Sequence, residues 1–431
     1  MARRTFDRAR WLRLAVIAGA SLLVLLTTCS APRLPLPIAS APVAPALEPG
    51  QQAGLAALPT VTPLPQQAGA AEQKAIVAEA AREEAPPEPT PTFPPLPTPP
   101  PSRPVSGPLA EAIDGYLNDL VAAQLFHGAV LVARDGEVIL SKGYGMADAD
   151  AGVPNTSRTR FRLASLTKQF TAMAVLILQA RGALVVDDPI CDYLDDCPPI
   201  WQPITIRHLL NHNSGIVDYT DFADFEPTEM YPATPQELVA RFRDFPLAFT
   251  PGTMYDYCNS NYVLLGLIIE RASGQPYADF VRDAIFTPLG MHESGYDTNV
   301  GRIVDGAQGY TTFTQKSGFL DASTLYAAGG LYSTVEDLWL WTHALDSERL
   351  VPGALLQAMF TPSHQGYGFG WKIDRLNGRL RYSHAGDMTG VANFMAYYPE
   401  QRVAVIVLSN MYYANAIGIN DHIASMVLDG S

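Results

Sequence analysis

The pattern of apolar and polar positions changes near residue 106. Before this point, residues 31–105 contain 20 of the 36 prolines, and proline lacks a backbone N–H and fixes φ. We therefore predict a Pro/Ala-rich disordered linker over 30–105, semi-rigid where it adopts polyproline II. After this point, apolar residues recur with helical or strand spacing, which predicts a folded domain over 106–431.

The folded part begins with a helix and a hairpin. Residues 107–125 have helical periodicity, and 128–145 predict two strands joined by the turn Asp135-Gly136. The segment FRLASLTKQF (161–170) then opens a helix that runs to about residue 181 and ends at a glycine.

Helical and loop-rich sequence follows from 183 to about 300, and YTTFTQ (310–315) predicts a return to strand. Three strands, GRLRYSHAG, VANFMAYYP and RVAVIVLSN, precede a final helix near 414–428. Strands at both ends and helices between them predict an α/β (α+β) fold. Its antiparallel sheet would be flanked by helices and interrupted by a mostly helical insertion over about 183–300.

Residues 1–29 predict an export signal. Five arginines lie among the first 13 residues, an apolar stretch covers 14–28, and Cys29 follows. An uncleaved membrane anchor is the alternative. LTTC (26–29) resembles a lipoprotein cleavage box, which makes Cys29 a candidate for lipidation, and RRTF (3–6) resembles a twin-arginine signal beside the general secretory alternative. We expect the domain to work outside the cytoplasm, either tethered to the membrane or secreted.

The charge of the chain excludes some partners. The formal net charge is −14, and the predicted signal carries five arginines against one aspartate, so its removal leaves −18. Such an acidic protein is not expected to bind nucleic acid or to dock electrostatically on anionic lipid. In an oxidising compartment Cys191 and Cys197 could form a disulfide, with Cys258 as the odd thiol.

The first candidate chemistry is Ser165 followed by Lys168. A serine hydroxyl is a poor nucleophile until a base removes its proton, and a lysine at i+3 shares the serine's helix face. Apolar neighbours would lower the amine pKa and make a neutral base accessible. At the helix start, the Ser165 N–H would also stabilise developing negative charge. Taken alone, the tetrapeptide fits equally well a helix whose lysine only reaches solvent.

Two later segments offer partners. Tyr257 and Asn259 stand two residues apart in a predicted turn before a helix, so a phenol and a carboxamide can point into one cleft. His384 and Gly386 share one face of a predicted strand, and an extended substrate could pair with its edge. The next N–H, that of Asp387, could complete an oxyanion hole with that of Ser165.

The order S-x-x-K, Y-x-N and H-x-G resembles the serine β-lactamase and penicillin-binding protein superfamily, in the branch of class C β-lactamases, D-Ala-D-Ala carboxypeptidases, D-aminopeptidases and related esterases. The similarity covers roughly 107–429 and includes LLNHNSGI (209–216) and YGFGW (367–371). The resemblance implies the following roles: Ser165 as nucleophile, Lys168 as base or proton relay, Tyr257 as general acid/base for the leaving group, Asn259 as ligand of the acyl-side amide, and His384 as part of the substrate edge.

Two positions depart from the family pattern. Cys258 stands where serine is usual, and His384 replaces the lysine of K-T-G, which disfavours efficient β-lactam hydrolysis. A histidine has a reference pKa near 6.5, so we expect His384 to be mostly uncharged at neutral pH and to gain charge below it.

Other motifs in the sequence do not favour a metal site or a nucleotide site. His208 and His212 have a spacing able to bind zinc, but no HExxH motif or nearby third ligand accompanies them, so a structural role is favoured. No G-x-S-x-G elbow and no glycine-rich phosphate loop follow a strand. We expect no metal, cofactor or nucleotide.

The sequence thus predicts an exported serine hydrolase, monomeric, that forms an acyl-enzyme on Ser165. Its substrate would be a D-peptide, a small ester or a β-lactam. The alternatives are a sensor that is acylated but turns over slowly and a non-catalytic cell-wall-binding module. A sensor would stop after one equivalent of a chromogenic ester.

Overall fold

The computed structural model of the protein describes residues 105–298 and 303–430. The predicted signal, Cys29 and nearly all of the predicted linker lie outside the described residues. The helices are α1 (Pro108–Ala122), α2 (Thr167–Ala180), α3 (Ile206–Leu210), α4 (Phe225–Thr228), α5 (Pro235–Phe242), α6 (Asn259–Ser273), α7 (Tyr277–Val281), α8 (Thr287–Leu289), α9 (Val335–Leu345), α10 (Gly353–Met359) and α11 (Ala416–Asp429).

The strands form one large and two small sheets. They are β1 (Gly128–Arg134), β2 (Glu137–Tyr144), β3 (Met146–Asp148), β4 (Val153–Pro154), β5 (Phe161–Arg162), β6 (Gly295–Tyr296), β7 (Leu331–Ser333), β8 (Lys372–Leu376), β9 (Arg379–Met388), β10 (Val391–Tyr398) and β11 (Val403–Ser409). The large sheet has the order β2-β1-β11-β10-β9-β8, and all its neighbours are antiparallel. The predicted fold class is confirmed.

Each face of the large sheet covers its own core. In β1, Val130 and Val132 pack with α1 and α11, whereas Ala129 and Leu131 face the larger core that contains α2, α6 and α9. Alternate residues of a strand point to opposite faces, so this strand is buried on both sides. Helix α2 lies inside the larger core, with every residue from Thr167 to Leu178 buried. The turn that precedes α2 is therefore attached to a deeply buried helix.

The structure differs from the sequence prediction in several strands. The predicted strand over 310–315 is wrong: Tyr310 makes only isolated bridges, and the chain then reverses as Thr311 N donates to Gln315 O at 2.8 Å. Strand-like composition does not suffice where, among the described residues, the segment forms only isolated bridges. Strand β8, which the sequence analysis did not identify, pairs with β9 from Lys372 opposite Ser383 onward.

The cysteines are arranged as expected. Cys191 and Cys197 form a disulfide with their Cα atoms 5.3 Å apart, and Cys258 is free and buried. None of the helices within the described ranges is long and apolar enough to cross a membrane.

Candidate active site

Ser165 lies in a tight turn between β5 and α2. The turn Ala164–Leu166 is a short 3-10 helix, and Ala164 has a left-handed φ of 48°, which non-glycine residues rarely adopt. Asn393 of β10 holds this turn, because its Nδ2 donates to the carbonyls of Arg162 at 2.9 Å and Leu163 at 3.3 Å. Ser165 is partly exposed, although its neighbours are buried. The backbone thus presents the hydroxyl to solvent from a strained, anchored turn.

Lys168 lies behind Ser165 and is fully buried. Its Nζ is 3.0 Å from Ser165 Oγ, 2.8 Å from Asn259 Oδ1 and 2.9 Å from Ala328 O. Burial lowers the pKa of the Lys168 amine to about 7, although the nearby Asp218 charge opposes this shift. A substantial fraction of the amine is therefore neutral at neutral pH.

The three contacts of Lys168 determine where its lone pair points. The oxygens of Asn259 and Ala328 are carbonyl oxygens, which accept hydrogen bonds and cannot donate. A neutral amine has two hydrogens, and these satisfy the two carbonyls. The lone pair then faces the remaining contact, Ser165 Oγ. This is the arrangement that a general base needs in order to take the serine proton.

Tyr257 stands on the other side of the same pair. Its ring centroid is 4.9 Å from Lys168 Nζ. Burial holds the pKa of Tyr257 well above its usual value, and a hydrogen bond with Ser165 opposes this shift only in part. The phenol is therefore neutral and able to donate a proton to a leaving group near Ser165.

His212 supports Tyr257, a role that the sequence analysis did not assign. The two ring centroids are 4.4 Å apart, His212 is fully buried, and its Nδ1 accepts from Cys258 N at 3.1 Å. Burial holds the pKa of His212 well below its usual value. His208 lies elsewhere and closes a capping box at the start of α3. The sequence favours a structural role for His212 in LLNHNSGI, but it does not name the partners of this residue.

Asn259 is oriented differently from the expected ligand of a substrate amide. Its Oδ1 faces Lys168, and its Nδ2 donates to Asp218 Oδ2 and Thr220 Oγ1, both at 3.0 Å. The two amide hydrogens are thus taken by the protein. Binding an acyl-side carbonyl requires that one of these bonds be given up. Asp218 and Thr220 carried no motif signal in the sequence.

His384 is buried in the cleft wall. Its Nε2 is 2.8 Å from the Tyr367 hydroxyl and its Nδ1 is 2.6 Å from Ala385 O. Burial, and then the nearby Lys168 charge, lower the pKa of His384 to about 3. The expectation that this imidazole gains charge just below pH 6.5 is therefore wrong: it stays neutral between pH 5 and pH 8, and both nitrogens already have partners.

The strand edge beyond His384 is open. Pairing with β8 ends at Ser383, so residues 384–388 have β10 on one side only. Hydrogen-bonded and non-bonded pairs alternate along antiparallel strands. Counted from the two-residue turn after Met388, Asp387 falls at a non-bonded pair with Ala392. Its N–H and C=O therefore point to the open edge, as an oxyanion donor and a substrate partner would.

Gly386 allows this edge to approach the serine turn. A Cβ atom at Gly386 would lie 2.3 Å from Leu163 O and 3.3 Å from Leu166 N. Only glycine fits this contact. The structure thus brings the Ser165 turn, Lys168, Tyr257 and Asn259 into direct contact and places the His384–Asp387 edge beside them.

The fold and this site define a serine hydrolase of the β-lactamase type. Residues 113–426 match the Beta-lactamase family, so the chain belongs to that family. Penicillin-binding protein 4* of Bacillus subtilis is 32% identical over 312 residues, which cover 66% of this chain and 68% of the relative. The D-aminopeptidase of Gluconobacter oxydans is 30% identical over 298 residues; they cover 66% of this chain but only 55% of that relative.

Similar solved structures include the same classes of protein. A penicillin-binding protein from Bacillus halodurans has a TM-score of 0.65 and 30% identity, covering 72% of this chain and 99% of its own. The D-amino acid amidase of Ochrobactrum anthropi SV3, in complex with D-phenylalanine, has a TM-score of 0.67 and 26% identity, covering 75% of this chain and 99% of its own. The superfamily assignment made from the three motifs is confirmed.

Proposed function

We propose that the protein hydrolyses small, carboxylate-free acyl donors, namely D-amino-acid amides and simple esters, through an acyl-enzyme on Ser165. The observation that carries the proposal is the state of the Lys168 amine. The amine is buried, its pKa is lowered to about 7, and its lone pair is directed at Ser165 Oγ. Ser165 attacks the acyl carbonyl as Lys168 takes its proton, and the N–H groups of Ser165 and Asp387 receive the developing oxyanion. Tyr257 delivers a proton to the leaving amine or alcohol and regains one from the Lys168 ammonium. Water then attacks the acyl carbon, its proton passes to the neutral Lys168 amine, and that proton returns to Ser165 Oγ as the acyl group leaves as a carboxylic acid.

The preference for carboxylate-free donors rests on His384. In K-T-G relatives a lysine ammonium stands at this position, where it can meet a substrate carboxylate. Here the imidazole is neutral and its nitrogens are bound to Tyr367 and Ala385. A charge-assisted hydrogen bond is about twice as strong as a neutral one, and this contact is missing. The relatives include D-aminopeptidases and a D-amino acid amidase beside penicillin-binding proteins, and the first two support amide substrates.

A substrate panel tests this proposal. We expect purified domain 106–431 to turn over D-phenylalanine amide and a p-nitrophenyl ester with a kcat/KM above that for nitrocefin, and Ser165→Ala to lose all three activities while remaining folded. An L-phenylalanine amide control measures stereochemical preference. Comparable or faster nitrocefin hydrolysis at pH 8 would contradict the proposal. Ester release that stops at one equivalent would instead identify an acylated sensor.

We also propose that the domain works outside the cytoplasm, as a monomer held near a membrane by its N-terminal segment or by lipid on Cys29. The sequence of residues 1–29 supports this, as does the Cys191–Cys197 disulfide, since disulfides persist in oxidising compartments. Small-molecule or peptide substrates fit an acidic protein better than nucleic acid does. Fractionation of cells that express the full chain, with and without Cys29→Ser, distinguishes the lipid-anchored form from a released one.

A further inference from the structure

The direction of the Lys168 lone pair depends on which way the Asn259 carboxamide is turned. With Oδ1 toward Lys168, the amine must donate to it, and the lone pair is left for Ser165. With the amide turned over, Nδ2 would face Lys168 and its N–H would occupy the lone pair. The base would then be neutral and correctly placed, yet unable to accept the serine proton. Something must therefore fix the amide.

Asp218 and Thr220 surround the amino end of this amide with acceptors. Asp218 Oδ2 accepts from both Asn259 N and Asn259 Nδ2 at 3.0 Å, and Thr220 Oγ1 accepts the second amide hydrogen at 3.0 Å. The Thr220 hydroxyl and Thr220 N both donate to Asp218 Oδ1, again at 3.0 Å. Four donors thus meet the two oxygens of Asp218. Burial raises the pKa of Asp218, and the hydrogen bonds from Asn259 and Thr220 oppose this shift. The four donors fit an ionised carboxylate, because a protonated one would place a hydrogen against a donor.

We infer that Asp218 is a positioning residue which, through the Asn259 amide, directs the lone pair of Lys168 at Ser165. This inference rests on the proposed function, in which Lys168 is the base. Asp218 contacts neither the nucleophile nor the amine, so it acts only through Asn259 and through its charge. The turned-over amide would set Asn259 Oδ1 against the Asp218 carboxylate, an acceptor against an acceptor.

The charge of Asp218 has a separate effect on Lys168. Five other described groups face the amine: the phenols of Tyr257 and Tyr262, the thiol of Cys258, and the imidazoles of His212 and His384. All five are neutral near pH 7, because burial raises the pKa values of the phenols and the thiol and lowers those of the imidazoles. Asp218 is therefore charged, whereas these five described groups are not. It raises the pKa of Lys168, whereas burial lowers it. Removing this charge should therefore lower the pKa of the amine further.

The test is Asp218→Asn, which keeps the shape, removes the charge and offers an amide donor to Asn259. We expect the acylation rate constant for a p-nitrophenyl ester to fall about 10²-fold, the scale of a lost general base, with KM nearly unchanged. The acid limb of the pH–rate profile should move to lower pH, because Lys168 loses its proton more easily. A structural defect alone would not move this limb.

Matched variants separate orientation from charge. Thr220→Val removes one acceptor and keeps the carboxylate, so it should slow acylation without moving the acid limb, and Thr220→Ser should restore the rate. Asp221→Asn removes an exposed neighbouring charge that raises the pKa of Asp218. This variant keeps Asp218 ionised at neutral pH, so its acylation rate there should equal that of the wild type. Thermal unfolding of every variant verifies folding.

Wild-type acylation and an unchanged acid limb in folded Asp218→Asn would overturn the inference. If Asp218→Asn does not fold, Thr220→Val decides it, and a wild-type acylation rate there has the same consequence. Failure of the proposed function is recognised separately, because Ser165→Ala would then retain turnover. An inactive Ser165→Ala beside a normal Asp218→Asn refutes only the role of Asp218.

Discussion

Gly386→Ala should disable the oxyanion donor while leaving most of the fold in place. The new Cβ would lie 2.3 Å from Leu163 O, 3.2 Å from Leu166 Cγ and 3.3 Å from Leu166 N. A carbon–oxygen contact relaxes to about 3.3 Å or more, so strand β9 and the Ser165 turn must separate by about 1 Å. The turn is anchored through Asn393 to β10, the strand beside β9, and it cannot retreat without breaking those bonds.

The size of the expected loss in kcat follows from the geometry of the oxyanion hole. A shift of about 1 Å takes an N–H···O contact of about 2.9 Å beyond hydrogen-bond distance. Loss of one oxyanion donor costs about 10²–10³ in kcat, or about 2.7–4 kcal/mol. Overpacking of a close contact costs about 1–3 kcal/mol of folding free energy, which is less than the total stability of a typical domain. We therefore expect a folded protein with a kcat lowered about 10²–10³-fold.

The assay measures pre-steady-state ester acylation and thermal unfolding on the same preparation. Gly115→Ala is the matched control, because Gly115 is exposed in α1 and a Cβ there meets nothing within 4 Å. Alanine is favoured over glycine in a helix by about 1 kcal/mol, so this control should keep full activity and gain slightly in stability. A folded Gly386→Ala enzyme with a kcat within about threefold of wild type would refute the proposed oxyanion geometry.

Two further predictions concern the charge of the site. Lys168→Met places an apolar side chain of similar length in a fully buried position. The variant should retain folding and substrate binding, but its acylation rate, measured by stopped-flow, should fall about 10²–10⁴-fold. Near-normal rates would mean that Tyr257 alone activates the serine. Nitrocefin hydrolysis relative to ester hydrolysis should not improve between pH 8 and pH 5 through His384, because its pKa is lowered to about 3 and the imidazole stays neutral. Burial raises the pKa of Asp387 to about 6, so the ratio is measured in the wild type and in Asp387→Asn; a rise through pH 6.5 that persists in Asp387→Asn would show that His384 is charged there.

Local sequence signals predicted the elements and the order of the motifs. The Asp135-Gly136 turn, with φ values of 53° and 79°, joins β1 and β2 as expected, since a two-residue hairpin needs such residues. The helix after Ser165 also ends where glycine predicted it, at Gly182 with a φ of 72°. These features depend on residues that are adjacent in the chain, and they can therefore be predicted from the sequence.

Long-range contacts were not predictable in the same way. Asp218 meets Asn259 across 41 residues, and His212 meets Cys258 across 46. Neither residue carries a pattern of its own that names its partner. The low pKa of His384 is not predictable from the sequence for the same reason, because its burial and its bond to Tyr367 arise only when the cleft is assembled. Burial and partner identity are properties of the packed core.

The central claim is that Ser165 carries the acyl group, and mass spectrometry of the trapped enzyme tests it most directly. Domain 106–431 is incubated with a fluorophosphonate, then digested and mapped beside Ser165→Ala. The account predicts one adduct per chain, on the peptide that contains Ser165, and none in the variant. An adduct on another serine, or a label that persists in folded Ser165→Ala, would contradict it.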